Sequence, residues 1–241
     1  MVGAAKRLHN AVGRENLLIK VPATPAGIES VEQLTAAGVP VNVTLIFSVN
    51  HYQSAARAYL RGAMRLLESG GSARQLRSVA SVFLSRVDTL VDKRLTAIGT
   101  AHAQALKGKA GVALAKLCYQ HYRKIFQGPS FVLLRLAHVW PQTPLWASTG
   151  TKDPAASDVR YVEPLIGAQT ITTLPDITLA AVRDHGRVED SLMHGMEEAE
   201  AHRTLLAGAG IDLEEVGDTL QMEGVQLFMQ AYQKLLKQVQ E

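Results

Sequence analysis

The sequence has a single cysteine, Cys118, in 241 residues. One thiol excludes an internal disulfide framework and a metal site built from several cysteines, and it fits a reducing compartment. No apolar run reaches the roughly 18 residues that a membrane span needs. The first residues, "MVGAAKRLHN", lack the long apolar stretch of a secretory signal. Charge of one sign is never concentrated: charged residues make up 20% of the chain and the net charge is +3, far from the basic stripe of a nucleic-acid binder. The eight histidines show no H-x-x-x-H or comparable metal-ligand spacing. His51, His121, His138 and His185 are expected on helix surfaces or ends, and Cys118, inside "ALAKLCYQHY", reads as a packed core thiol. Trp140 and Trp146, which flank the fourth strand, read as packing residues. A soluble, cytoplasmic protein with no metal and no nucleic-acid or membrane partner is the expectation.

The chain is 47% hydrophobic, enough for one large core or two small ones. Five short apolar, β-rich runs read as strands: "LLIKVP" (17–22), "VNVTLIF" (41–47), "VASVFLSRV" (79–87), "PLWAST" (144–149) and "TITTLP" (170–175). Between the first two, Thr24 is a plausible N-cap, Pro25 suits the first helical position and Gly38 stops the helix. A helix over 50–69, a long helical region from about Asp88 to Ala137, a short helix at "DVRYVEPLI" and final helices from Asp176 to Glu241 complete the reading. Alternation of strand and helix with near-continuous apolar strands means a parallel sheet with helices outside, within a single domain over 1–241.

That leaves an open doubly wound sheet or a (β/α) barrel. No glycine-rich phosphate loop follows the first strand, which counts against the dinucleotide-binding form. Polar residues interrupt the apolar strands at Lys20, Asn42, Thr44, Ser81, Arg86 and Ser148. Asn42 and Thr44 are two apart and share a face, as in a lined barrel mouth. Lys20 has two readings. Its amine snorkels out of the strand end or pairs with a carboxylate. Alternatively, an apolar barrel disfavours its charged form, and the neutral amine attacks a carbonyl carbon to form a Schiff base.

Four stretches, "NLLIKVPATPAGI", "GVPVNVTLIFS", "SVASVFLSRVDTLVDK" and "PLWASTGTKDPAASD", resemble the transaldolases, specifically their longer bacterial subfamily. "DHGRVEDSL" and "LAGAGIDLEEVGDTLQMEGV" continue the resemblance almost to the end. It implies a (β/α)8 barrel and transfer of a dihydroxyacetone unit from sedoheptulose 7-phosphate to glyceraldehyde 3-phosphate. This is a step of the pentose phosphate pathway that uses no metal or organic cofactor. By resemblance Lys20 is the Schiff-base lysine, Asn42 contacts the bound dihydroxyacetone, and Thr44 helps hold the catalytic water. Ser81 and Phe83 face the substrate, a phenylalanine there going with transfer rather than simple aldol cleavage. Arg86 binds phosphate, and Ser148 and Lys152 lie in a second phosphate-binding loop.

In that family the Schiff-base lysine lies on the fourth barrel strand, whereas here it is residue 20. The resemblance therefore implies a chain truncated at its N-terminus, lacking the first three strands. With them would go the proton-transferring aspartate and the water-activating glutamate. Asp88 and Asp153 read as helix-cap or phosphate-loop residues rather than replacements. About five parallel strands would form a partial barrel whose exposed edges favour a homo-oligomer. The alternative function is an inactive half-barrel that binds sugar phosphate or needs a partner chain.

Overall fold

The computed structural model describes residues 1–240. Helix α1 (Val2–Val12) leads into β1 (Ile19–Pro22), followed by α2 (Pro25–Ala36), β2 (Val41–Ile46), α3 (Val49–Glu68) and β3 (Ser78–Phe83). Helices α4 (Ser85–Ile98), α5 (Ala101–Ala105), α6 (Ala110–Tyr122) and α7 (Val132–Leu136) separate β3 from β4 (Thr143–Ala147). Then come β5 (Ile171–Thr172), α8 (Asp176–His185), α9 (Met196–Gly208) and α10 (Leu213–Gln240). The strands pair in parallel in the order β1-β2-β3-β4-β5, so β1 and β5 are the edges. This is the expected α/β arrangement of five parallel strands with helices outside, consistent with the (β/α) barrel class.

Local chemistry accounts for the boundaries. The Thr24 hydroxyl accepts a hydrogen bond from the Gly27 N–H at 3.2 Å, and Pro25 needs no partner for a missing N–H. Ser48 caps α3 in the same way through the His51 N–H. Gly62 lets α3 lie close to α2: a Cβ there would stand 2.6 Å from the Glu32 carbonyl oxygen.

The two faces of the sheet differ. Val21, Val41, Val43, Ala80, Val82 and Trp146 point under the helices and are almost completely buried. On the opposite face stand Lys20, in register with Asn42, and Ser81, in register with Leu145, with Phe83 two residues on; Lys20 is exposed, and Asn42 and Phe83 are half-buried. The first half of α10 partly covers this face, with Gly224 against the Leu45 side chain and Gln221 donating to the Leu45 carbonyl at 3.1 Å. Its second half carries exposed apolar side chains at Met229, Tyr232, Leu236 and Val239.

Several expected elements need correction. The third strand ends at Phe83, and helix α4 begins at Ser85, so Arg86 stands in the first turn of a helix and not on a strand. The fourth strand ends at Ala147, leaving Ser148 just beyond it, and Trp146 lies within the strand. "DVRYVEPLI" forms only a 3-10 turn at Glu163–Leu165, and the fifth strand shrinks to two residues. His51 stands in the first turn of α3, one of the expected places, but it is buried there. It is 9% exposed, and its ring bonds Asp218 at 3.0 Å and the Phe47 N–H at 3.4 Å. Cys118 is fully buried, as expected.

Burial also holds the imidazoles of His121 and His202 below the ordinary histidine value, nearby cations acting in the same direction. The unfolded chain then takes up protons near pH ~6.5 while these folded rings resist them, so their contribution to stability is lost as pH falls. Exposed His185 has the opposite sign, being raised by Asp158 and Asp184. Thermal unfolding at about pH 7.5 and about pH 5.5 should show a larger acid loss for the native chain than for His202→Gln. Equal losses would count against a neutral buried His202.

Candidate active site

Lys20 is the second residue of β1 and pairs in register with Asn42. Asn42 Oδ1 accepts a hydrogen bond from the Ser81 hydroxyl at 2.7 Å. One amine, one amide and one hydroxyl thus form a row across three adjacent strands on the more open face of the sheet. The bond to Ser81 leaves the Asn42 amide nitrogen as a donor for a ligand hydroxyl. Thr44, two residues on from Asn42, is 5% exposed. The apolar enclosure expected round the Lys20 amine is not formed by the described residues, because the lysine is exposed.

Backbone strain collects at the ends of these strands. Leu45, directly after Thr44, has φ of 59°, and the β2–β3 register shifts between Val43 and Ile46. Ser148, directly after β4, has φ of 55°. A left-handed conformation costs a non-glycine residue about 1–2 kcal/mol. Such positions and bulges gather beside functional sites. Ser148 is held by a hydroxyl–hydroxyl bond to Ser85 at 2.8 Å and by the Ser85 N–H on its carbonyl at 3.0 Å. The Gly108 and Gly111 N–H groups, by contrast, are turned to Asp92 and Asp88 and take no part in this face.

Next to the row, the Phe83 ring packs against Phe47 at 5.2 Å and lies under the Arg86 guanidinium at 5.8 Å. Arg86 and Lys152 line one surface depression of about 300 Å³, together with Thr89, Leu90 and Lys93 of α4. Lys93 is the residue that the sequence reading missed. Residues 86, 89, 90 and 93 share one helical face, a pattern visible only when the helix is started at Ser85 rather than Asp88. The two carboxylates weighed as substitute acids are otherwise engaged. Asp88 accepts from the Gly111 N–H at 2.8 Å and the Tyr161 hydroxyl at 2.7 Å, capping α6, and burial pushes its carboxyl above the ordinary aspartate value. Asp153 accepts from the Ala155 N–H in an exposed turn. Among the described residues no group of three or more His, Cys, Asp or Glu side chains could hold a metal ion.

The match to known proteins covers the same strands. The family model described as Transaldolase/Fructose-6-phosphate aldolase matches residues 1–239. The chain belongs to the transaldolase/fructose-6-phosphate aldolase family. A protein named Transaldolase from Thiobacillus denitrificans is 50% identical over 238 residues, covering 99% of this chain and 66% of its own length. A Transaldolase from Renibacterium salmoninarum is 45% identical, covering 98% of this chain and 64% of its own. Transaldolase 2 of Streptomyces avermitilis is 44% identical with the same coverage. The chain spans about two thirds of the length of these relatives. Membership in the transaldolase/fructose-6-phosphate aldolase family agrees with the parallel sheet, and no helix of the described residues is long and apolar enough to cross a membrane.

Proposed function

We propose that this chain carries the Schiff-base and phosphate-binding side of a transaldolase of the longer bacterial subfamily, a cytoplasmic transferase acting on sugar phosphates. Its five strands are read as successive strands of a (β/α)8 barrel. The observation that carries the reading is the row of Lys20, Asn42 and Ser81 across the open face of the sheet. Lys20 Nζ, as the free amine, attacks the C2 carbonyl of a seven-carbon ketose phosphate such as sedoheptulose 7-phosphate, and water leaves to give an iminium. The C3–C4 bond then breaks, its electron pair flowing into the iminium to form an enamine. The C4 hydroxyl proton goes to a base that is none of the eight assigned residues, and a four-carbon aldose phosphate departs. The enamine carbon attacks the aldehyde of glyceraldehyde 3-phosphate, and hydrolysis of the new iminium releases a six-carbon ketose phosphate and regenerates the lysine.

In this reading Asn42 bonds a hydroxyl of the dihydroxyacetone unit, Thr44 holds the hydrolytic water, and Ser81 fixes the Asn42 amide. Phe83 supplies no hydroxyl beside the enamine, which favours capture by an aldehyde over protonation. Arg86, Lys152 and Ser148, with Lys93, take the phosphate; the guanidinium offers two parallel donors and the lysines act as point charges. Incubation with sedoheptulose 7-phosphate and glyceraldehyde 3-phosphate should yield the six-carbon ketose phosphate, and absence of that product would remove the transferase reading. Arg86→Ala should lower kcat/KM for glyceraldehyde 3-phosphate by about 10- to 100-fold, the worth of a hydrogen bond to a charged group. It should leave unphosphorylated glyceraldehyde nearly unaffected. Equal losses with both acceptors would show that Arg86 does not read the phosphate.

A further inference from the structure

On the helical side of the sheet, α6 and α9 border a second open depression, of about 360 Å³. Its apolar wall is made by Val112 and Ala113 of α6 and Ala199 of α9, and polar groups reach it from Arg160, Lys109 and His202. His202 is only 7% exposed, and its Nε2 has no hydrogen-bond partner. A buried imidazole nitrogen without a partner has lost the hydrogen bond that water gave it in the unfolded chain, and a ligand oxygen would restore that bond. Arg160 points the same way. Its guanidinium lies against Gly108, where a Cβ would come within 2.9 Å of it. Among the described residues it makes no ion pair. Asp88 and Asp92 are near enough to feel its charge but are occupied by Tyr161, Gly111 and Gly108.

We propose that this cavity binds a small monocarboxylate with an apolar body, at a site separate from the sugar-phosphate face. The carboxylate takes the Arg160 guanidinium and the Lys109 ammonium, the His202 ring supplies an N–H donor through the tautomer protonated at Nε2, and the apolar body covers Val112, Ala113 and Ala199. Glu198 also lines the cavity and repels a second anionic group, which restricts the class to monoanions. A polyhydroxylated sugar is disfavoured, because the apolar wall offers its hydroxyls nothing in exchange for water. The volume falls in the range of small-ligand sites, roughly 300–1,000 Å³.

The test is a titration of the full chain with 4-fluorobenzoate, followed by fluorine NMR of the probe and the His202 ring resonances. Saturable one-to-one binding with Kd on the order of 1 mM or tighter is expected, with the His202 signals moving in step with occupancy. Arg160→Gln should weaken it at least ~10-fold, and so should replacement of the probe by neutral 4-fluorobenzamide, since each removes a charge-assisted bond. Ala199→Phe should abolish it by filling the cavity, and Val112→Trp serves the same purpose if the first variant fails to fold by near-UV circular dichroism. Three results would each overturn the proposal: no saturable binding, binding indifferent to the cavity-filling variant, or equal binding of the benzamide.

Discussion

Lys20→Ala is expected to abolish transfer, lowering kcat by at least ~10⁴-fold, the scale on which removal of a covalent nucleophile acts. The expected signature is chemical as well as kinetic. Dihydroxyacetone with sodium borohydride should convert the native lysine to a secondary amine, hydride reducing the iminium carbon. Peptide mass spectrometry should find the added three-carbon unit on Lys20 and on no other lysine. Lys20→Ala should carry no such adduct. The exposed amine is reachable by reagent, and its neighbours across the sheet, Asn42 and Ser81, are already tied to each other at 2.7 Å. An adduct elsewhere, or equal labelling of many lysines, would move the nucleophile away from β1. Asn42→Ala offers a graded comparison, because it keeps the amine and removes the group proposed to hold the substrate hydroxyl.

Trp146→Ala is expected to produce the largest loss of stability, about 3–5 kcal/mol, the usual cost of truncating a fully buried tryptophan. The side chain is 0% exposed near the C-terminal end of β4, and its indole N–H donates to the Leu165 carbonyl at 3.3 Å. The backbone carbonyl of the same residue accepts from the Thr173 N–H at 3.0 Å and the Thr173 hydroxyl at 3.1 Å, fastening the two-residue strand β5. Loss of the indole therefore empties the core and frees the Leu165 carbonyl, while the backbone bonds that hold β5 remain. Urea unfolding should show a lower midpoint at an unchanged slope. Trp146→Phe should recover part of the loss, since one aromatic ring is kept while the rest of the indole and its hydrogen bond go. A truncation costing under ~1 kcal/mol would mean that the site collapses without penalty.

The parallel order of strand and helix was legible because each strand is a short apolar run and each early helix carries its own stop and start signals. Thr24 with Pro25, and Gly38 with its φ of 74°, did in space what their residue types imply. Arg86 was misplaced because "FLSRV" has the composition of a strand. The bonds that end β3 come from outside the segment, Leu84 N–H to the Ala147 carbonyl and Ser85 N–H to that of Ser148. With the helix start displaced, Lys93 lost its periodic relation to Arg86 and escaped notice. His51 stands at the end of α3, as read, but its burial comes from Asp218 and Gln221 of α10, a contact that no local pattern encodes. Left-handed Leu45 was equally invisible, since nothing in its residue type favours that conformation, and the Gln221 amide that bonds its carbonyl comes from distant α10.

The sheet is ordered in space as it is ordered in the chain. Each strand can therefore be added to a finished neighbour as it leaves the ribosome, with no strand inserted between two others. The steps are unequal in time. β1–β2 and β2–β3 each close over one helix, while β3–β4 must wait for α4 to α7, and the entropic cost of closure grows with the logarithm of the loop. Until β4 arrives, β3 presents an unpaired parallel edge, the kind of transient surface on which slow folders aggregate. Pairing of β3 with β4 is thus the natural slow phase of refolding, and Trp146, opposite Val82 in that pairing, reports on the event through its own fluorescence.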